Sequence, residues 1–484
     1  MFFRQYELGC LSLFSYLIGD KTTGRAVVVD PQRDISQYLD DAAAEGLHIE
    51  RVIETHFHAD FLSGHLEMAA TTGAVVSYGA AAQTEFAMDP LQDGQRLTLG
   101  EVTLDVLATP GHTPESISVV VSEREGDEPW GVLTGDTLFI GDVGRPDLLS
   151  SAAGGSGVSP GSTVSADDLA RALYRSLHEK LLALPDGVRV FPAHGAGSAC
   201  GKNLSTAAQS TIGEQRATNY ALQPMSEDDF VAAVTTGQAV APPYFGFAAR
   251  TNRSRHELLD DNEQLPELSV EDVERWLAGG AVLIDGRSQT EFASGHLRGA
   301  VNVGMEGRFA EYCGDVARPD EPIVLCTDPG REAEAKVRLA RIGFDRVGGA
   351  VGDVHRLLAE HPELAVASLR LSAADFAGWH VASALGADQV QLVDVRNPGE
   401  TEAGVIPGAI RIPLAELLGR IGGLDPSATT VVYCAGGYRS SIAASTLAAK
   451  GFSKVADILG GYDAWKAAGF PTTKPERSEE QLRR

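Results

Sequence analysis

The second half of the chain repeats itself, and this limits the architecture more than any other feature. Leu283-Ile284-Asp285-Gly286-Arg287 recurs as Leu392-Val393-Asp394-Val395-Arg396, and Gly299-Ala300 recurs as Gly408-Ala409, both at an offset of 109 residues. Cys326 recurs as Cys434 and Gly343 as Gly451, at an offset of 108. So steady an offset means two copies of one domain of roughly 100 residues. Each copy runs strand, loop, strand, helix, which predicts a small α/β domain with a mainly parallel sheet.

The first half alternates short β-rich runs with helical stretches. Strands are predicted over residues 25–30, 51–54, 74–77, 102–107, 116–121, 132–133 and 188–191, and helices over 35–45 and 63–71. A longer helix is predicted over 167–184, where Leu169, Leu173, Leu177 and Leu181 recur every four residues. The Gly/Ser-rich segment 150–165 reads as a surface loop, and the polar stretch 251–267 as the exit from the domain. Near the start, the apolar stretch 11–18 lacks a basic flank and a small-residue cleavage site, so it reads as a first strand rather than a signal peptide.

Charge and cysteine usage exclude some functions. Forty Lys and Arg against 66 Asp and Glu give a formal net charge of −26, which repels nucleic acid and anionic membrane. Five scattered cysteines form no disulfide framework, as expected of a cytoplasmic protein. No apolar run reaches the roughly 20 residues of a spanning helix.

Four segments share one form, a β-rich run that ends on a metal-ligand residue. They are Thr55-His56-Phe57-His58-Ala59-Asp60, Thr109-Pro110-Gly111-His112, Thr134-Gly135-Asp136 and Pro192-Ala193-His194. Strand C-terminal ends are where α/β folds assemble sites. A lone histidine is more often a hydrogen-bonded residue, and His65 reads that way, but four such ends together point to a metal. Two imidazoles and one carboxylate with open positions suit Fe(II) and O2. A structural zinc would need four closed ligands, which are not seen.

These segments resemble the metallo-β-lactamase superfamily over about residues 1–250. Its H-x-H-x-D-H signature, G-H-T loop, G-D-T turn and late A-H-G are present, except that Phe61 stands at the closing histidine. That departure argues against a two-zinc site and leaves the single-iron arrangement known in persulfide dioxygenases. The resemblance implies His56, His112 and Asp136 as iron ligands, with His58, Asp60 and His194 supporting them. It also implies Arg145, in the Gly141–Asp147 segment, as an anion-binding group for the carrier thiol. Cys200 reads as a small packed residue.

A second constellation lies in the last repeat. Cys434 stands between a β-rich run, 430–433, and a helical stretch, 440–450, where amide N–H groups and the helix dipole favour a thiolate. Gly436 and Gly437 let the loop curl into an anion nest, and Arg439 adds positive charge. With four residues between Cys434 and Arg439, the loop resembles that of the rhodanese sulfurtransferases; related phosphatases have one residue more. In the middle copy Cys326 and Arg331 keep the spacing, but Asp328 adds negative charge and Pro329 removes an N–H. That copy reads as mainly structural, with Cys326 a secondary catalytic candidate.

The expected architecture is α/β and multidomain: an αββα metallo-β-lactamase fold over 1–262, a degenerate rhodanese-like domain over 263–365 and a catalytic rhodanese domain over 366–484. The resemblances imply an oxidoreductase for sulfide detoxification, with one Fe(II) per chain. It would oxidise a low-molecular-weight thiol persulfide with O2 to sulfite and free thiol. Cys434 would carry sulfur between persulfide and sulfite or thiosulfate, in either direction. Two alternatives stay open. One is a glyoxalase II-like zinc thioester hydrolase with an appended sulfurtransferase, which Phe61 opposes. The other is a sulfur carrier or sensor without oxygenase activity, which the intact His56, His112 and Asp136 set opposes. Self-association into a homo-oligomer is left open.

Overall fold

The computed structural model describes residues 1–148, 164–384 and 390–474. The Gly/Ser-rich segment expected as a loop over 150–165 therefore lies almost wholly outside the described residues. Contacts divide the chain into two compact units, one of Met1–Asp261 with Ala340–Gly343, the other of Asn262–Leu339 with Phe344–Arg484. Among the described residues no helix is long and apolar enough to cross a membrane.

The first unit is built on two six-stranded sheets. One runs Phe2–Leu8, Leu13–Asp20, Arg25–Val29, His48–Ile53, Val75–Gly79 and Asp89–Leu91 in spatial order, antiparallel over its first three strands and parallel thereafter. The other runs Ser210–Thr211, Arg189–Pro192, Gly131–Gly135, Ile117–Ser122, Thr103–Ala108 and Arg96–Thr98. Period-two alternation explains the layers. Val27, Val29, Val119 and Val121 meet with Tyr16, Leu104 and Phe191 in one core. Their neighbours Val28 and Val120 point the other way, toward Tyr38 and Met68 of flanking helices in one case and Leu173 and Leu177 in the other. The result is an αββα sandwich.

Two local readings needed revision. The strand expected over 11–18 is Leu13–Asp20, and it is preceded by an unforeseen strand, Phe2–Leu8. The helix expected over 167–184 is α-helical only over Ala166–Arg175, with a capping box of Ser165 and Asp168; a π turn, Ser176–Lys180, and a 3-10 turn, Leu181–Ala183, follow. Apolar residues spaced by four drift about 40° per step around an α-helix of 3.6 residues per turn. The wider π turn returns Leu177 and Leu181 to the face of Leu173, and all three are fully buried.

In the second unit the repeat becomes two parallel sheets. The four-stranded sheet is ordered Val301–Asn302, Val282–Asp285, Ile323–Cys326, Val347–Val351. The five-stranded sheet is ordered Leu369–Leu371, Val455–Ile458, Thr429–Tyr433, Val390–Asp394, Ile410–Arg411. The repeated Asp-x-Arg closes a buried ion pair at the strand end in both copies, at 2.6 Å for Asp285–Arg287 and 2.6 Å for Asp394–Arg396. Each guanidinium then donates to a repeated glycine carbonyl, Gly295 at 3.0 Å and Gly404 at 2.9 Å. The repeat therefore preserves one structural device.

Because Leu173 fills the space between the second sheet and its helix, Leu173→Ala should cost about 2–5 kcal/mol, read from the urea-unfolding midpoint of the full chain. An unchanged midpoint would show that Leu173 does not support this packing.

Candidate functional site

All four metal-type strand ends meet at one edge of the αββα sandwich. His56, His112 and Asp136 are each about 1% exposed, and their ligand atoms converge. His56 Nε2 lies 3.7 Å and His112 Nε2 3.5 Å from Asp136 Oδ2. Ligand atoms held at about 2.1 Å around one tetrahedral ion stand about 3.4 Å apart, so this spacing suits a shared metal. The turn that presents Asp136 is tight, since a Cβ at Gly144 would stand 1.9 Å from the Asp136 carbonyl oxygen.

The remaining ring nitrogens are fixed by other partners. His112 Nδ1 pairs with the Arg145 carbonyl oxygen at 2.8 Å, and His56 Nδ1 with Thr55 Oγ1 at 2.9 Å. Such partners orient a ring and leave Nε2 free to ligate. Burial pulls both imidazoles below their ordinary range, which keeps them neutral. Burial alone would raise the Asp136 carboxyl, but the protonated His194 beside it outweighs burial and holds it below the usual carboxylate range. His56 Nε2 and Asp136 Oδ2 are buried without a hydrogen-bond partner. Orphaned donor atoms of this kind are costly unless something binds them. These residues fit a metal ion with two neutral imidazoles and one carboxylate.

His58, Asp60 and His194 form a second cluster beside the first. His194 bridges the two, with Nδ1 at 2.7 Å from Asp136 Oδ1 and Nε2 at 2.7 Å from Asp60 Oδ2. Burial lowers its affinity for a proton, yet the carboxylates of Asp136 and Asp60 outweigh burial and lift it well above the ordinary imidazole range. His58 lies 3.1 Å from Asp30 and 3.5 Å from Glu54. Phe61 packs its ring on His58, 4.3 Å between centroids. An apolar ring thus stands where the superfamily signature has its closing histidine.

The structure places Arg145 differently from expectation. Its guanidinium is buried, paired with Asp147 at 2.7 Å, and donates to the Ala199 and Ala239 carbonyls at 3.3 and 2.7 Å. The side chain is therefore consumed internally, and what Arg145 offers the centre is its backbone carbonyl on His112. Cys200 is buried close to Asp136 and His194, and burial pushes its thiol well above the ordinary range. Several supports escaped sequence reading. Asn252, read as part of the domain exit, is fully buried and donates to the His58 and Phe61 carbonyls, each at 2.8 Å. The Tyr244 hydroxyl donates to the Asp60 carbonyl at 2.9 Å, and the Thr55 N–H to Asp30 at 2.7 Å. Asp30 did carry a signal, since it too ends a β-rich run.

The thiol loop of the second unit is a separate site. Cys434 ends the strand Thr429–Tyr433, and the helix Tyr438–Ala449 begins directly beyond the loop. The Gly437 N–H points at the sulfur, 3.1 Å from Sγ, and Gly437 adopts φ +99°, where a side chain would be strained. Gly461 allows a close approach, because a Cβ there would come within 2.3 Å of the Cys434 carbonyl oxygen. Arg439 is clamped by Glu400 at 2.6 and 2.7 Å, and Gly436 has open space beside it. In the middle copy Arg331 instead pairs with Glu334 and Glu306. Burial pushes the Cys326 thiol well above the ordinary range, and Asp285 adds to the effect.

Comparison with known proteins agrees with this division. The metallo-beta-lactamase superfamily model matches residues 8–194, and the rhodanese-like domain model matches 269–353 and 380–468. A crystal structure of a metallo-beta-lactamase from Staphylococcus aureus is 32% identical, covering 72% of this chain and 98% of its own, with a TM-score of 0.64. The mitochondrial persulfide dioxygenase ETHE1 of Bos taurus is 28% identical over 49% of this chain and 82% of its own length. A cytoplasmic hydroxyacylglutathione hydrolase of Arabidopsis thaliana is 32% identical over 39% of this chain and 66% of its own length. The chain belongs to the metallo-β-lactamase superfamily, and two rhodanese-like domains follow that fold.

Since His194 orients Asp136, His194→Ala should weaken metal binding by roughly 10–100-fold. Chelator competition on metal-loaded protein checks this, and full retention of affinity would remove His194 from the centre.

Proposed function

We propose that this protein is a persulfide dioxygenase with an attached sulfurtransferase. The observation that carries the reading is the centre of His56, His112 and Asp136, with Phe61 beside it in place of a further histidine. Likeness to ETHE1 and the two rhodanese-like matches support the same reading. His56, His112 and Asp136 would hold one Fe(II), which supplies the activation of O2 for oxidation of a sulfane sulfur. The overall reaction is RSSH + O2 + H2O → RSH + SO3²⁻ + 2H⁺. Around the ligands the chain's own groups keep the charge in place. Thr55 and the Arg145 carbonyl hold the rings, and His194 neutralises Asp136 while pairing its charge with Asp60.

At the second site Cys434 would take a sulfane sulfur as a persulfide anion, held by the Gly437 N–H and the start of the helix. Sulfite then attacks the outer sulfur: Cys–S–S⁻ + SO3²⁻ → Cys–S⁻ + S2O3²⁻. A bond forms between the outer sulfur and sulfite, the S–S bond to Cys434 Sγ breaks, and its electron pair returns to Sγ. Both chemistries on one chain raise the local concentration of sulfite at the transferase. A reducing compartment such as the cytoplasm is consistent with the five free cysteines.

Oxygen uptake on addition of glutathione persulfide or coenzyme A persulfide to anaerobically iron-loaded protein tests the first half. No uptake, together with hydrolysis of lactoylglutathione, overturns it in favour of a hydrolase. Cys434→Ser should leave oxygen uptake unchanged while sulfite accumulates in place of thiosulfate, and thiosulfate formation at the parent rate would remove Cys434 from the transfer.

A further inference from the structure

The catalytic loop around Cys434 is held partly by the other rhodanese-like copy. Tyr438 is the first residue of the helix that starts at the loop, directly after the Gly437 N–H that faces the sulfur. Its hydroxyl donates to the Gly304 carbonyl of the middle copy at 2.6 Å. The receiving segment is shaped for it, because a Cβ at Gly307 would stand 2.6 Å from the Tyr438 oxygen. Arg338 braces that segment from behind, donating to the Met305 and Gly307 carbonyls at 2.5 and 2.8 Å. Burial raises the Tyr438 phenol, so it remains a protonated donor. A second tie lies one turn further along the helix, where Ser441 donates to Asn302 Oδ1 at 3.0 Å.

From these contacts we infer that the middle copy acts as a socket that positions the Cys434 loop through Tyr438, although in that copy Arg331 is turned to Glu334 and Glu306. The inference rests on the reading of Cys434 as a sulfur carrier. Backbone contacts within the last copy hold the other side of the loop, with Tyr462 N–H on the Cys434 carbonyl at 2.7 Å and Asp463 N–H on that of Ala435 at 3.1 Å. Tyr438 fixes the side from which the Gly437 N–H reaches the sulfur. Loss of the anchor lets the first helical turn move and weakens the Gly437 N–H contact on the sulfur. Tyr438 is thus a positioning residue, and Gly307 is its complement.

The test is the pH profile of iodoacetamide alkylation at Cys434 in the full chain, followed on its own peptide by mass spectrometry. Tyr438→Phe and, from the opposite side of the contact, Gly307→Ala should both move the profile to higher pH. Alkylation at neutral pH should slow by about three- to tenfold, while oxygen uptake stays unchanged. A purely structural contact would lower the thermal midpoint of both variants and leave the profile where it is, which overturns the inference. If Cys434 of the unsubstituted chain neither alkylates nor takes up sulfur from thiosulfate, the sulfurtransferase reading fails and the socket with it.

Discussion

A carboxylate about 1% exposed cannot keep its charge alone, and the centre of the first unit is organised around that of Asp136. His194 meets it on one oxygen, and His56 and His112 face the other. His194 in turn needs Asp60, whose backbone is held by Tyr244. Along Asp136, His194 and Asp60 the sign alternates from group to group, which is how buried charge is tolerated. One oxygen of Asp136 and one nitrogen of His56 are among the buried atoms left without hydrogen-bond partners, and they suit a cation.

The two rhodanese-like copies show what duplication retains and what it releases. Both keep the Asp-x-Arg pair and its bond to a glycine carbonyl, because a buried guanidinium left unpaired would cost several kcal/mol. Only the last copy keeps Arg439 clamped by Glu400 and an amide on the sulfur. In the middle copy the equivalent arginine has turned to local carboxylates on its own helix and a neighbouring loop. The fold of a copy and the chemistry of its loop therefore rest on separate residues, and one can be lost without the other.

Much of this was legible in the sequence, for definable reasons. Alternating valines gave the sheets, the repeat gave the two parallel domains, and strand runs ending on His or Asp gave the residues that cluster at the candidate centre. What escaped depends on partners distant in sequence. Phe2–Leu8 is half-buried and carries Arg4 and Glu7, so its alternation is weak. Asn252 sits in a polar stretch and is identifiable only through carbonyls nearly two hundred residues away. Arg145 was misplaced although Asp147, two residues on, was the signal: an arginine followed so closely by a carboxylate can satisfy itself. The leucine row from Leu169 to Leu181 marked a buried face correctly, but its spacing of four was itself the sign that the helix would widen.

The clamp made by Asn252 also dictates when the centre can come into being. His56 and His194 are separated by about half of the unit, and the tip of the first hairpin bonds to the His194 segment, with the Phe14 N–H on the Ala193 carbonyl at 2.6 Å. During synthesis the early strands must wait for residues near 194, and the His58–Phe61 loop must wait for Asn252, before either is closed. A nascent chain shorter than that carries buried-type charges with no partners. Closure of the His58–Phe61 loop thus depends on an asparagine that lies nearly two hundred residues further along the chain.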